Sequence, residues 1–293
     1  MTLLRGFAIT VVSAVAISPL AVSAQGEGQV LLQPLGEWEA QRLDDRCVMR
    51  RAFGNPERPT ILELRRIDPW DGGFHAAITS GEFEFSRVPF KVAWLPGGRE
   101  SLIDVPTYAN DTSGREWVEF QHGLWDGKLD TLKGAALTTY FRDDGPARFQ
   151  QSVGTYQITG AFGKTITLQT GPMASVVSGT KLCMEQMLAA RGVDPRDMSR
   201  DNSRVVARHV PSKQRIGKFL PEAIATRARP SLVVFLLYLN ANAQPTSCRL
   251  SSVPFDERLE AGGCDLLMKY ASFDFKAGEQ ARQTFYNVSI EYR

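Results

Sequence analysis

Two short runs in this sequence carry residue types that do chemistry when correctly placed. Ser178-Gly179-Thr180-Lys181 has the S-x-x-K spacing that sets a serine nucleophile one helical turn from a lysine. Its companion Ser-Asp-Asn is absent, and Gly163-Lys164-Thr165 lies upstream and is not Lys-Thr-Gly. The run therefore fits a helix cap and a solvated charge. Gly160-Ala161-Phe162-Gly163-Lys164-Thr165 ends like a phosphate-binding loop, but Ile158 stands where the first glycine is required. His75, His122 and His209 are far apart and form no H-x-x-x-H, so neither a metal site nor a triad follows from them. Glu82-Phe83-Glu84-Phe85 would put two carboxylates on one face of a strand, which is expected to be a solvated face. Trp117 to Trp125 is aromatic enough to line a groove, yet alternating aromatics in a strand are expected in a core. The expectation is no catalytic residues, no metal and no cofactor.

The N-terminus supplies an address. Arg5, an apolar stretch from Phe7 to Ile17, Pro19 and the small-residue site Val22-Ser23-Ala24 predict a cleaved secretory signal peptide over residues 1–24. If it were retained, residues 6 to 24 would anchor the protein in a membrane. In an oxidising compartment cysteines tend to be paired, and the four here form no C-x-x-C and have no accompanying histidine. Of the three possible connectivities, pairing within each candidate domain gives Cys47 with Cys183 and Cys248 with Cys264. Lys plus Arg number 34 against 32 Asp plus Glu, so charge suggests neither a nucleic-acid partner nor an acidic tail.

The elements that would position these residues fall into two textures. From Glu37 to about Thr170, short alternating runs such as Ile61 to Leu64 and Trp117 to Phe120 are cut by Asp71-Gly72-Gly73, Pro96-Gly97-Gly98 and Asp143-Asp144-Gly145-Pro146. This pattern predicts an antiparallel sandwich or small barrel over residues 25–190. It is closed by an amphipathic helix over 173–191 that carries Val176, Leu182, Cys183, Met187 and Ala190 near one face, with Gly192 as its stop. Residues 191–215 hold six arginines, three aspartates and two prolines and are expected to be a polar connector. All five tryptophans precede it.

Residues 216–293 predict strand, strand, helix, strand. Leu232 to Leu239 is a continuous apolar run suited to a central strand, and Thr246 to Ser252 returns beside it after Asn240 to Pro245. Asp256 caps a helix to about Ala271, and Tyr286 to Tyr292 alternates as a half-buried strand. A right-handed crossover places this last strand beside the first and parallel to the second, giving the order 2-1-3. The last strand is then a free edge, and an edge is either protected or used for strand addition. The fold class expected for the whole chain is α+β.

The C-terminal residues resemble the C-terminal domain of TonB-type energy transducers, in disulfide-bearing variants fused to β-rich exported domains. The likeness runs through Leu220-Pro221, Val233 to Leu239, Asn242-Ala243-Gln244, Cys248, Ser251-Ser252, Leu259-Glu260, Cys264 to Leu267, Ala271-Ser272-Phe273 and Tyr286 to Tyr292. Here the glycine after Ser-Ser and the proline after Ala-x-Phe are absent, and Gly262-Gly263 weakens the helix by about 1 kcal/mol per glycine. The resemblance implies a periplasmic, non-catalytic protein-binding protein. Its edge residues Phe285, Tyr286, Asn287, Val288, Ser289 and Ile290 would take up an extended peptide from an outer-membrane receptor or another envelope protein. The contrasting expectation is a small-molecule or polysaccharide site, or an unrecognised hydrolase, in the β domain. Convergence of Trp94, Trp117, His122 and Trp125 on one pocket would mark it.

Overall fold

Alternation of polar and apolar residues builds two sheets that share their apolar faces. The computed structural model describes residues 28–43, 46–66, 73–104, 106–110, 114–124, 126–136, 139, 143, 145–198, 204–220, 231–251 and 256–292. The expected signal peptide, Trp70, the Asp71-Gly72 turn, Trp125, Asp144, Pro221 and Ser252 lie outside these residues. The first sheet contains β2 (Glu39–Arg42), β3 (Cys47–Phe53), β4 (Thr60–Arg66), β5 (Gly73–Ser80), β8 (Thr107–Asn110) and β9 (Glu116–Gly123), in the order β2-β3-β4-β5-β9-β8. The second contains β1 (Gln29–Leu32), β6 (Phe90–Leu95), β7 (Ser101–Ile103), β10 (Thr155–Thr159) and β11 (Thr165–Leu168), in the order β1-β11-β10-β6-β7. All pairings are antiparallel except that of β1 with β11.

Leu62, Leu64, Ile78, Val118 and Phe120 from the first sheet meet Val92, Trp94, Tyr156, Ile158 and Ile166 from the second in one buried core. Phe90 and Phe120 join the sheets edge to face at 5.2 Å. This is a sandwich, and with its helices the chain has the expected α+β class. Glu82 to Phe85, however, is not a strand. Glu82 and Glu84 are exposed while Phe85 is buried against the Phe162 ring at 4.7 Å, so the alternation persists without a neighbouring ladder.

Helix α1 (Gly145–Ser152) precedes β10, and α2 (Ala174–Ala190) closes the sandwich. The buried stripe of α2 is Val176, Thr180, Met184, Met187 and Leu188. Leu182, expected on the inner face, is exposed. The Cys183 bond to Cys47 of β3 sets the rotation of the helix and places Met184 and Met187 beside the bond.

The expected connector at 191–215 is corrected by the structure. A 3-10 turn at Pro195–Met198 is followed by β12 (Val205–His209), which pairs with β15 (Ser272–Phe275), and then by α3 (Lys213–Gly217). Val205 and Ile216 belong to the C-terminal core. Asp194, Asp197 and Arg204 there are structural. Buried Asp197 accepts hydrogen bonds from Arg204 Nε at 2.8 Å, Arg282 Nη2 at 3.2 Å and Thr284 Oγ1 at 3.0 Å, while Arg282 Nη1 donates to Asp194 at 2.7 Å. A buried carboxylate is tolerated when its lone pairs are filled in this way.

The C-terminal sheet contains β13 (Ser231–Leu239), β14 (Pro245–Leu250) and β16 (Thr284–Tyr292) in the order β14-β13-β16. Both neighbours run antiparallel to β13, so β16 is parallel to β14, as the crossover argument requires. Helix α4 (Glu257–Tyr270), capped by Asp256 on the Leu259 amide at 2.7 Å, covers one face. Cys248 of β14 is bonded to Cys264 of α4. Gly262 and Gly263 have a packing role. A Cβ on Gly263 would enter the ring of fully buried Phe235, and one on Gly262 would enter the half-buried Phe219 ring.

This close approach yields a test in which the two glycines should respond differently. Helix propensity alone favours alanine over glycine by about 1 kcal/mol at either site. Gly263→Ala is expected to destabilise the fold by about 2 kcal/mol, because Phe235 has nowhere to go. Gly262→Ala is expected to stay within about 1 kcal/mol of the parent, because Phe219 can swing toward solvent. Urea unfolding of the two variants checks this, and a stabilising Gly263→Ala would refute the close packing.

Candidate functional site

β16 is the terminal strand of its sheet. It pairs with β13 from Ser231↔Tyr292 through Leu239↔Thr284, and among the described residues no strand pairs with its other side. Its ends are tied down. Tyr292 Oη donates to the Lys213 carbonyl at 3.0 Å beneath α3, and Thr284 is bonded to Asp197. Its faces are covered. Val288, Ile290 and Tyr286 join the core under α4, with Phe273 of β15 5.0 Å from the Tyr286 ring. Phe285 packs with Leu236 and Tyr238 against Leu188 and Val193 at the end of α2. Of the six residues singled out in the sequence, Phe285, Asn287, Val288 and Ile290 are buried, Tyr286 is half-buried and Ser289 is exposed. What such a strand can offer a partner is its main chain, with Ser289 as the side chain open to solvent.

Among the described residues, Trp94, Trp117 and His122 do not converge on the groove considered for the β domain, and Trp125 lies outside them. Along β9 side chains alternate in direction, so Trp117 shares the outer face with Glu119, whereas His122 shares the inner face with Val118 and Phe120. Trp94 and His122 are buried and stacked at 6.1 Å between centroids, with Tyr156 Oη 3.1 Å from His122 Nδ1. Burial pushes the His122 imidazole down to about 4, against a hydrogen bond with the Arg99 backbone that acts the other way. Trp117 instead lies half-buried beneath the Arg65 guanidinium, 5.1 Å from its ring centre. A cavity of about 460 Å³ opens nearby between Pro96, Gly97, Lys128, Arg148, Phe149 and Ser152. Its two cations are surface side chains, and Asp126 on its wall caps its own 3-10 turn by accepting from the Lys128 amide at 2.9 Å.

The other sequence candidates are dispersed. Ser178 and Lys181 are exposed on α2, where Ser178 Oγ donates to the Ser175 carbonyl at 3.1 Å and Lys181 lies 4.0 Å from Glu185. Gly160 to Thr165 is the hairpin turn between β10 and β11, with positive φ at Gly160 and Gly163, so it opens no helix. His209 is exposed at the end of β12.

One cluster gave no sequence signal. The outer face of β4, β5 and β9 carries Glu63, Arg65, His75 and Glu119, and the C-terminal unit covers part of it. His75 Nε2 lies 2.6 Å from the Ser251 carbonyl just past β14, while its Nδ1 is 3.6 Å from Glu119 Oε1. Arg65 reaches Glu119 at 3.2 Å and Glu63 at 2.7 Å. Burial acts to raise the Glu119 carboxyl, but the His75 hydrogen bond and the charges of Arg65, His75 and Arg46 together hold it below the ordinary value. Alternation does mark these positions as outward-facing. It does not mark them as buried.

Among the described residues no group of three or more His, Cys, Asp or Glu could hold a metal ion, and no helix is long and apolar enough to cross a membrane. No protein-family model, no curated protein and no solved structure matches the chain.

Proposed function

We propose that this protein is a non-catalytic protein-binding protein of the periplasm, and that its C-terminal unit captures an extended peptide as a fourth strand beside β16. The observation that carries this reading is that β16 is long, firmly paired to β13 and terminal in its sheet. Main-chain hydrogen bonds along such an edge supply affinity, and side chains next to it supply selectivity. The two disulfides, both tying helices to strands, suit an oxidising compartment. The likeness to TonB-type C-terminal domains adds the class of partner: an extended segment of an outer-membrane receptor or of another envelope protein.

A photo-reactive residue at Ser289, an exposed position of the strand, tests this in the native host. The expected result is one defined envelope protein captured; capture of nothing overturns strand addition. A proline scan sharpens it. In an edge strand one of two adjacent N–H groups faces the ladder and the other faces out. Of Val288→Pro and Ser289→Pro, the variant that keeps the fold is the one expected to lose capture. A folded variant with undiminished capture would place the partner elsewhere.

A further inference from the structure

The short helix α3 and the end of α4 bring four cations to one corner of the C-terminal unit. Lys213, Arg215 and Lys218 lie within a turn of one another, and Lys269 stands in the last turn of α4. All four are exposed, and among the described residues no carboxylate pairs with them. This sets them apart from Arg204, Arg208, Arg249 and Arg282 of the same unit, each of which is held by a carboxylate. Helix α3 is pinned in place: Ile216 is fully buried in the C-terminal core, and the Lys213 carbonyl accepts from Tyr292 Oη at 3.0 Å. Tyr270 joins the two helices. The Arg215 guanidinium lies over its ring, 4.5 Å from the centroid, and Lys269 Nζ is 5.3 Å from the same point. A hydrogen bond from Arg215, with a second from Lys269 and the Lys269 charge, holds the Tyr270 phenol below its ordinary value, as a locally positive potential requires.

We propose that this corner docks the C-terminal unit on the surface of an anionic lipid bilayer, with Arg215 and Lys269 on lipid phosphates, Lys213 and Lys218 beside them, and the Tyr270 ring at the level of the headgroups. The acidic groups of the neighbouring elements leave the corner positive. Asp265 lies one turn before Lys269 and is the one carboxylate set against the four cations. Asp274 of β15 is taken up by Arg208, and Glu291 faces the side of β16 opposite Tyr292.

A bilayer fits this corner better than a small free anion does. The cations are spread over the open surface of two elements, and a sheet of lipid phosphates engages all of them at once, each adding to the attraction. Met268 and Tyr270 flank Lys269 on the helix and are 37% and 38% exposed, so apolar and aromatic surface stands beside the charges. That combination matches the boundary between headgroups and acyl chains, where ammonium and guanidinium heads meet phosphate and their neighbours meet hydrocarbon. A free phosphate would gain nothing from Met268. The contact is peripheral and needs no membrane-spanning helix. The inference is independent of whether β16 takes up a peptide.

Sedimentation of the full chain with vesicles tests it, comparing an equal mixture of phosphatidylglycerol and phosphatidylcholine with phosphatidylcholine alone. The neutral vesicles measure whatever the apolar residues near the N-terminus contribute. In about 0.1 M salt the chain should partition more strongly to the anionic vesicles, and the excess should vanish in about 1 M salt, where charges are screened within about 3 Å. Arg215→Gln and Lys269→Gln should each lower the anionic partition about fivefold, and the double variant about 25-fold. Both side chains are exposed, so the variants should fold. Lys91→Gln, on β6 of the sandwich, removes the same charge elsewhere and should leave the partition nearly unchanged. Equal partition to both kinds of vesicle, no loss in the two corner variants, or an equal loss in Lys91→Gln would overturn the assignment. Displacement by inorganic phosphate beyond that caused by chloride at the same ionic strength would also overturn it, by making the corner a seat for a free anion. No binding to anionic vesicles would overturn it too, and would leave the four cations to an acidic protein.

Discussion

Replacing both Cys47 and Cys183 by alanine should cost about 5 kcal/mol of stability, the largest loss expected from any one covalent change in this chain. The bond spans 136 residues, and the chain-entropy cost of leaving so long a loop open grows with the logarithm of its length. The Cys248–Cys264 bond spans 16 residues, and its removal should cost about 3 kcal/mol. Packing acts in the same direction for the first pair. Cys47 is buried with Met184 and Met187, so the alanines also forfeit sulfur contacts. The loss should extend beyond the sandwich, because the bond fixes α2, whose last turn offers Leu188 to the C-terminal sheet. Denaturant unfolding of the two double variants gives the comparison. A larger loss from the short-loop pair would mean that the long loop is already restrained in the unfolded chain.

How much of this could be seen in the sequence depends on whether the signal is local. Alternation in Ile61 to Leu64, Trp117 to Phe120 and Tyr286 to Tyr292 produced strands, because a period of two sorts side chains to two faces whatever packs on them. The order β14-β13-β16 was also legible, since a helical crossover leaves few choices of hand. The cysteine pairing followed from assigning each pair to one texture of the chain. What failed depended on partners distant in sequence. The arginines and aspartates of 191–215 looked solvated, yet Asp194 and Asp197 are bound by Arg282, some 85 residues on. Ser272-Phe273-Asp274-Phe275 alternates over only four residues, too few to announce a strand that pairs with β12. The Gly262-Gly263 pair weakens a helix in isolation, and only the position of Phe235 shows why the helix tolerates it. Candidate chemistry fared similarly. Glu119 and His75 sit at outward-facing positions, and what buries them is a second unit that no local pattern could place over that face.

His122 should make the sandwich acid-sensitive well above the range where carboxylates titrate. Its imidazole is held at about 4 in the folded protein, against an ordinary value of 6.5, because burial between Trp94 and Tyr156 penalises the cation. The unfolded chain therefore takes up a proton that the folded chain resists. Stability is full above the unfolded value, falls as pH drops below 6.5, and has lost the whole contribution once pH is below about 4. A difference of this size corresponds to about 3 kcal/mol. Glu119 acts in the same direction but lower, since a depressed carboxyl loses its stabilising charge only as pH falls through the carboxylate range. The two are separable by where the loss begins. Unfolding free energies measured at intervals from about pH 7 to about pH 4.5 should decline in the parent and remain nearly level in His122→Gln, whatever the variant's own baseline. Ring resonances give a direct check: the His122 imidazole, with the Tyr156 hydroxyl on its Nδ1, should stay neutral through that interval. A ring that protonates near the ordinary histidine value in the folded protein would mean that water reaches the Trp94 stack, and the acid loss would have to come from another group.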